Sequence, residues 1–195
     1  MIEEAVPEAR GASDRRPADR TVSRTVAVWD LPLRLWHWAL AASVLAAWFT
    51  PTVHDSLHRL VGYTVLGLLV FRLLWGFLGS RYSRFRMVGV RLRAAPSYLW
   101  NLRRGITGRY IGLNPAGTVM LVALLLSLAV SAITGALSVT VTFFGVWWIE
   151  DTHAYASDAV IVLVVLHVAG VVLMGMLQRE NLIRAMLTGR KRIRA

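Results

Sequence analysis

The segment from Thr152 to Leu177 is almost unbroken apolar sequence, and it carries two histidines, His153 and His167. As helix it is long enough to cross a bilayer, which takes about 20 residues. The two histidines are fourteen residues apart, about 3.9 turns, so their imidazoles fall on nearly one face and roughly 21 Å apart along the axis. An ionisable group at membrane depth is costly and by default points to function. The spacing therefore calls for two separate sites along one helix, with the rest of the chain supplying the partners.

Three further windows have the length and polarity of membrane spans: Leu33–Thr50, Leu57–Leu78 and Ala116–Ser138. Hydrophobic residues make up 56% of the chain and charged residues 17%, the balance of a membrane protein rather than a soluble domain. The expected fold is all-α, an integral membrane four-helix bundle. The first window is the shortest and starts beside Arg34, whose side chain can snorkel to the headgroups.

The net charge of +11 is distributed by topology. The segments before the first span, between the second and third, and after the fourth lie on one side. Together with the helix ends bordering them, they carry every Lys and Arg of the 22 except Arg59. The opposite loops carry Asp55, Glu150 and Asp151. This is the positive-inside pattern, and it predicts cytoplasmic termini for a multi-pass protein of the bacterial plasma (inner) membrane. The basic excess then reflects topology and attraction to anionic membrane lipid, not nucleic-acid binding. The chain has no cysteine. That excludes disulfides, thiolate-ligated haem, cysteine-ligated iron–sulfur clusters and covalent haem attachment, and leaves any metal to nitrogen or oxygen ligands.

Residues 1–25 are polar and charged, with neither an apolar signal region nor a helical stripe, and read as a disordered cytoplasmic tail. Residues 26–190 form the transmembrane domain, and 191–195 a basic C-terminal end. Pro32 sits where a first helix begins. Trp29, Trp36 and Trp38 suit an interfacial aromatic belt. His37 lies about a turn inside the first span, with Ala41 and Ala42 one turn further on. His58 heads the second span, and Gly62, four residues on, shares its face. The glycine predicts a close approach there. Arg59, the lone outer cation, and Arg34 are the candidate contacts for propionate groups. His54 falls in or near the loop, in a supporting or solvent role. RLRAAPSYLWNLRR, residues 91–104, predicts a short surface helix after Pro96. The third span has no histidine; Ser127, Ser131, Thr134 and Gly135 let helices pack closely. Phe143, Phe144, Trp147 and Trp148 form an outer loop that rests on the leaflet.

Depth decides how the histidines pair. Helices alternate direction, so His37 lies near the inner end of its span and His58 at the outer end of the next. His153 lies at the outer end of the fourth span and His167 deeper, toward the inner side. His37 meets His167, and His58 meets His153. Each pair suits one iron held axially, and a bis-histidine haem has no free position for oxygen or substrate, so it carries electrons. A divalent metal site needs three or four ligands near one point. Asp158, the only carboxylate inside the fourth span, falls on a different face from His153. A histidine-based proton or metal transporter is the competing function.

From Val28 to Arg192 the chain resembles the bacterial cytochrome b561 and nickel–iron-hydrogenase b-type cytochrome family, in its small stand-alone cytochrome b branch. The matching segments are VWDLPLRLWHW with His37, HRLVGYTVLGLLVFRLLWGFLGS with His58, RYIGLNPAG before the third span, and THAYASDAVIVLVVLHVAGV with His153 and His167; the ending ENLIRAMLTGRKR also matches. The resemblance implies a four-helix protein with two haem b groups on His37, His58, His153 and His167. Related proteins are expected to carry a histidine where Leu113 stands, so any quinone or partner contact made there is altered or absent.

The expected function is electron transfer between the quinone pool and a redox partner: a cytochrome c, a hydrogenase or another dehydrogenase subunit. Nothing in the sequence resembles a catalytic site, so the chain reads as a carrier or subunit rather than a stand-alone enzyme. A haem-independent membrane anchor is the remaining alternative.

Overall fold

The computed structural model describes residues 23–52, 54–79, 84–106, 110 and 112–194. Most of the tail expected over residues 1–25 lies outside them. Seven helices occur among the described residues: α1 (Leu31–Phe49), α2 (Asp55–Leu78), α3 (Phe85–Arg93), α4 (Ala95–Arg103), α5 (Pro115–Ser138), α6 (Trp147–Gln178) and α7 (Leu182–Thr188). Three of them, α2, α5 and α6, are long and apolar enough to cross a membrane. The helix α1, at 19 residues, carries Arg34 near its start and falls short of that standard. The 32 residues of α6 run for about 48 Å, longer than a hydrocarbon layer of about 30 Å.

Local chemistry sets the helix starts. The Asp30 carboxylate accepts from Leu33 N at 2.9 Å and Asn114 Oδ1 accepts from Gly117 N at 2.7 Å, satisfying orphan amides at the first turns of α1 and α5. Both helices place a proline at the start, where the missing N–H is harmless. Asn181 Oδ1 caps α7 in the same way, accepting from Arg184 N at 2.7 Å.

The long helices pack as α1 on α2, α2 on α5, and α5 on α6. Leu33, Trp36 and Leu40 from α1 meet Val65 and Leu69 from α2, Leu128 from α5 and Val160 from α6 in one buried cluster. Their i, i+3, i+7 and i, i+4 spacings make single helix faces. The opposite faces of α5 and α6 leave Leu126, Val165 and Leu173 exposed, and Leu73 and Phe77 are exposed further along α2. Trp36, expected in an interfacial belt, is buried instead, and its Nε1 donates to the Leu68 carbonyl of α2 at 2.7 Å.

Past α2 the chain folds along one end of the bundle. Phe85 of α3 packs so closely over Gly76 that a Cβ there would lie 2.0 Å from the Phe85 ring. The Arg72 guanidinium is buried between the rings of Phe85 and Trp36, 4.9 and 5.6 Å from their centroids. The helix expected after Pro96 is α4; α3 was not anticipated. Tyr98 is buried and meets Tyr110 edge-on at 5.5 Å.

The first and last described segments are joined. Strands β1 (Ser23–Ala27) and β2 (Arg190–Arg194) pair antiparallel, from Ser23 opposite Arg194 to Ala27 opposite Arg190. The strand β1 begins inside the segment read as tail. Gly189, at φ 75°, turns the chain from α7 into β2, and its carbonyl accepts from Val28 N at 2.8 Å and Trp29 N at 3.2 Å. Lys191 pairs with Glu180 at 2.9 Å and donates to the Tyr110 carbonyl at 2.9 Å, with both charged side chains largely buried. This clasp marks one end of the bundle; residues 50–52, after α1, and the connection 139–146 mark the loop end.

Candidate functional site

Four of the five histidines come together in two pairs. On α2 and α6, His58 and His153 stand with ring centroids 6.1 Å apart and planes at 81°. On α1 and α6, His37 and His167 stand 6.4 Å apart with planes at 51°. Two imidazoles on opposite sides of one metal ion stand roughly 6 Å apart between centroids, from two metal–nitrogen bonds of about 2 Å and about 1 Å from each nitrogen to its ring centre. The fifth histidine, His54, is exposed at the start of α2 and joins neither pair. Among the described residues no three His, Asp or Glu side chains converge in one cluster.

The loop-end pair is held by two neighbouring helices. The ring nitrogen Nδ1 of His58 lies 3.0 Å from the Ala47 carbonyl of α1, with Thr50 Oγ1 at 3.4 Å. For His153, Nδ1 lies 2.8 Å from the Ser131 carbonyl of α5. A carbonyl can only accept, so each Nδ1 carries the proton and each Nε2 keeps its lone pair free for a metal. Ser131 Oγ and Ser157 Oγ are 2.8 Å apart, and Ser157 Oγ donates to the His153 carbonyl at 2.7 Å, tying α5 to α6 around this imidazole. At Gly135 a Cβ would lie 2.8 Å from His153 Cε1 and 2.9 Å from its Nδ1. Only a glycine lets the ring sit against α5.

The pair nearer the clasp is held differently. His37 meets Trp38 edge-on at 5.2 Å, and its buried Nδ1 has no hydrogen-bond partner. A Cβ built on Gly170, one turn past His167, would meet nothing within 4 Å, and the same is true of Gly62, one turn past His58. Among the described residues, none makes the close approach anticipated at Gly62. Both glycines give smooth helix surface beside an imidazole, the shape a flat macrocycle needs. The donor set fits haem as well: four imidazoles, two per site, and no thiolate.

The two candidate propionate contacts, Arg34 and Arg59, each have partners within the chain. Arg34 Nε donates to the Met186 carbonyl at 3.3 Å and Nη2 to the Leu187 carbonyl, fastening α1 to the end of α7. Arg59 pairs with Asp55, one turn earlier on α2, at 3.0 Å, and both remain exposed. The residues that the sequence left unassigned are Thr50 and Ser157, together with the Ala47 and Ser131 carbonyls. In the sequence, Ser131 and Gly135 read only as small packing residues. A histidine and a small residue on separate helices carry no common signal until the helices are placed.

The family described as prokaryotic cytochrome b561 matches residues 28–189. The chain is 24% identical to a probable Ni/Fe-hydrogenase B-type cytochrome subunit of Bradyrhizobium diazoefficiens, across 98% of this chain and 96% of that one. It is 24% identical to the protein of the same description in Azotobacter vinelandii, over 84% of this chain and 87% of the relative. A counterpart in Azotobacter chroococcum is 29% identical over 47% of this chain and 50% of its own. No solved structure matches significantly. With the family match spanning nearly all the helical region, the chain belongs to the prokaryotic cytochrome b561 family, as a membrane b-type cytochrome of electron transfer.

Proposed function

We propose that this chain is a di-haem electron carrier of the bacterial inner membrane, passing electrons between a quinone or quinol and a redox partner. In this reading α1 is a fourth span, the bundle has four membrane helices, and the clasp with both termini is cytoplasmic. His58 with His153, and His37 with His167, would each hold one haem b through their imidazole nitrogens. The observation carrying the reading is the match of both imidazole separations, 6.1 and 6.4 Å, to paired axial ligation.

When bound, a haem ligated this way supplies a one-electron couple and leaves no coordination position for substrate. The protein residues do the rest. Ala47 and Ser131 fix the tautomer of the loop-end ligands through their carbonyls. Gly62, Gly135 and Gly170 keep side chains away from the imidazoles or the surfaces beside them. Apolar helix faces exclude water from both sites. Arg59, exposed beside His58, is the cation best placed to reach a propionate at the loop end. The relatives are described as hydrogenase subunits, so a hydrogenase is the partner we favour over a cytochrome c or another dehydrogenase.

A reduced-minus-oxidised spectrum of membranes containing the protein tests the reading. A b-type alpha band is expected. Colourless membranes after expression with ample haem would leave the transporter or the haem-independent anchor as the better account.

A further inference from the structure

We propose that the outer face of α3 and α4 is a binding site for anionic phospholipid. Arg86, Arg93, Arg103 and Arg104 hold the headgroup phosphates there, and Val90 and Trp100 enter the apolar layer between them.

The sequence sets the charge of this face. Between α2 and α5 every basic residue is an arginine, and the chain has no Asp or Glu anywhere from residue 56 to 149. These guanidinium groups therefore have no carboxylate of their own segment to meet. A guanidinium presents paired N–H groups that match two oxygens of a phosphate, and it gives up water more readily than an ammonium does.

The structure divides the arginines by role. Arg84 donates to the Gly79 carbonyl at 2.9 Å and Arg91 donates to the Leu113 carbonyl, so both fasten the segment to the bundle. Arg86, Arg93, Arg103 and Arg104 are exposed, and none of them joins an ion pair among the described residues. Arg86, Val90 and Arg93 follow one another at i, i+4 and i+7, a single stripe of α3. On α4 the inner side is Ala95 and Tyr98, both buried, while Trp100 and Arg103 are exposed. Arg104 lies over the Trp100 ring at 5.0 Å, which occupies the face of its guanidinium and leaves the N–H edge outward.

The place of this face selects a lipid over a free phosphate. Phe85, the first residue of α3, packs on Gly76 and meets exposed Phe77 edge-on at 5.6 Å, both in the last turn of a helix apolar enough to cross a membrane. The arginine stripe is thus continuous with the apolar surface of α2, at the level where headgroups begin. Exposed Val90 and Trp100 between the cations suit that boundary, where a tryptophan is favoured and an amphipathic helix lies flat. A free phosphate would use the guanidinium groups and leave these two side chains without a role.

The thermal midpoint of the purified full-length protein in detergent, followed during addition of phosphatidylglycerol, phosphatidylcholine or inorganic phosphate, tests the proposal, because a ligand of the folded state raises the midpoint. Phosphatidylglycerol should raise it to a plateau, and the other two should not. Arg86→Gln with Arg93→Gln, and separately Arg103→Gln with Arg104→Gln, should each require about tenfold more phosphatidylglycerol for half the rise. Arg184→Gln with Arg190→Gln removes as much charge from exposed positions of the clasp and should leave the response unchanged. Should either arginine pair prove necessary for folding, lipid retained by the unmodified protein in native mass spectrometry decides, with phosphatidylglycerol kept in preference to phosphatidylcholine. An equal response to phosphatidylcholine, or to inorganic phosphate, overturns the proposal. So does an equal loss in the clasp variant, which would make the effect one of net charge. No response to any of the three overturns it too, and leaves the face to a protein partner. Haem content does not enter these readouts, so they stand apart from the function proposed for the histidine pairs.

Discussion

His58 and His153 face each other 6.1 Å apart between ring centroids, and each turns its Nδ1 toward the backbone of a helix belonging to neither. Ala47 on α1 and Ser131 on α5 provide the carbonyls, so all four long helices converge on this one pair. A displaced helix would release an imidazole, and through it the site. The pair is therefore a consequence of helix packing as much as of the two histidine positions.

Gly62 and Gly170 separate a haem-binding account from a purely structural one. Neither has a neighbour within 4 Å of a built Cβ. A larger residue at such a helix position is tolerated by the protein alone, and losing glycine from a helix even gains about 1 kcal/mol of propensity. Gly62→Leu and Gly170→Leu should accumulate in membranes at normal levels, each with about half the haem. Pyridine haemochrome assay against polypeptide content reads this. Full haem in both variants would show that the macrocycle does not lie on these surfaces.

Gly76 is the opposite case. Phe85 lies across it at 2.0 Å from a built Cβ, and both ring and backbone are hemmed in by α2 and Arg72. Gly76→Leu should detach α3 from α2, at a cost of about 1–3 kcal/mol for an overpacked contact. The expected readout is a lower thermal midpoint of detergent-purified protein and protease cleavage between α2 and α4. An unchanged cleavage pattern would contradict the packing described.

The clasp depends on Gly189. At φ 75° a side chain is strained, and a Cβ would also lie 2.6 Å from the Trp29 carbonyl. Gly189→Val should therefore destabilise by about 1–3 kcal/mol. Loss of pairing between β1 and β2 is the accompanying structural effect, measurable as faster amide exchange over residues 24–28 and 190–194. Exchange as slow as in the unmodified protein would rule the effect out.

Glu180 and Lys191 form a largely enclosed ion pair at 2.9 Å, with side chains 18% and 12% exposed. Removing one member of a buried pair strands the other's charge, which costs about 3–5 kcal/mol when burial is complete and less here. Lys191→Met should lower the thermal midpoint more than the double change Lys191→Met with Glu180→Gln. Additive losses in this cycle would mean that the two charges do not interact.

The sequence shows the long helices and the histidine pairing well, because both follow from periodicity. Length and polarity locate α2, α5 and α6, and helix direction alone puts His37 opposite His167 and His58 opposite His153. What stays hidden depends on contacts between distant segments. Ser23, Arg24 and Thr25, the first three residues of β1, look like disordered tail until Arg190–Arg194 lies beside the strand. Trp36 has the composition of a belt residue, yet the Leu68 carbonyl holds it in the core. Nothing in the sequence marks the hold of Arg34 on α7, a helix of seven residues whose last carbonyls accept from it. Gly135 carries no mark of its role because its partner ring belongs to another helix.

The measurement closest to the central claim is the haem-to-polypeptide ratio of the purified protein and of its four single histidine-to-alanine variants. The account predicts about two haems per chain in the unmodified protein and a loss of about one in each variant, with His54→Ala unchanged. A ratio of one or zero in the unmodified chain, or a histidine variant at His37, His58, His153 or His167 that keeps the full complement with low-spin spectra intact, would contradict it.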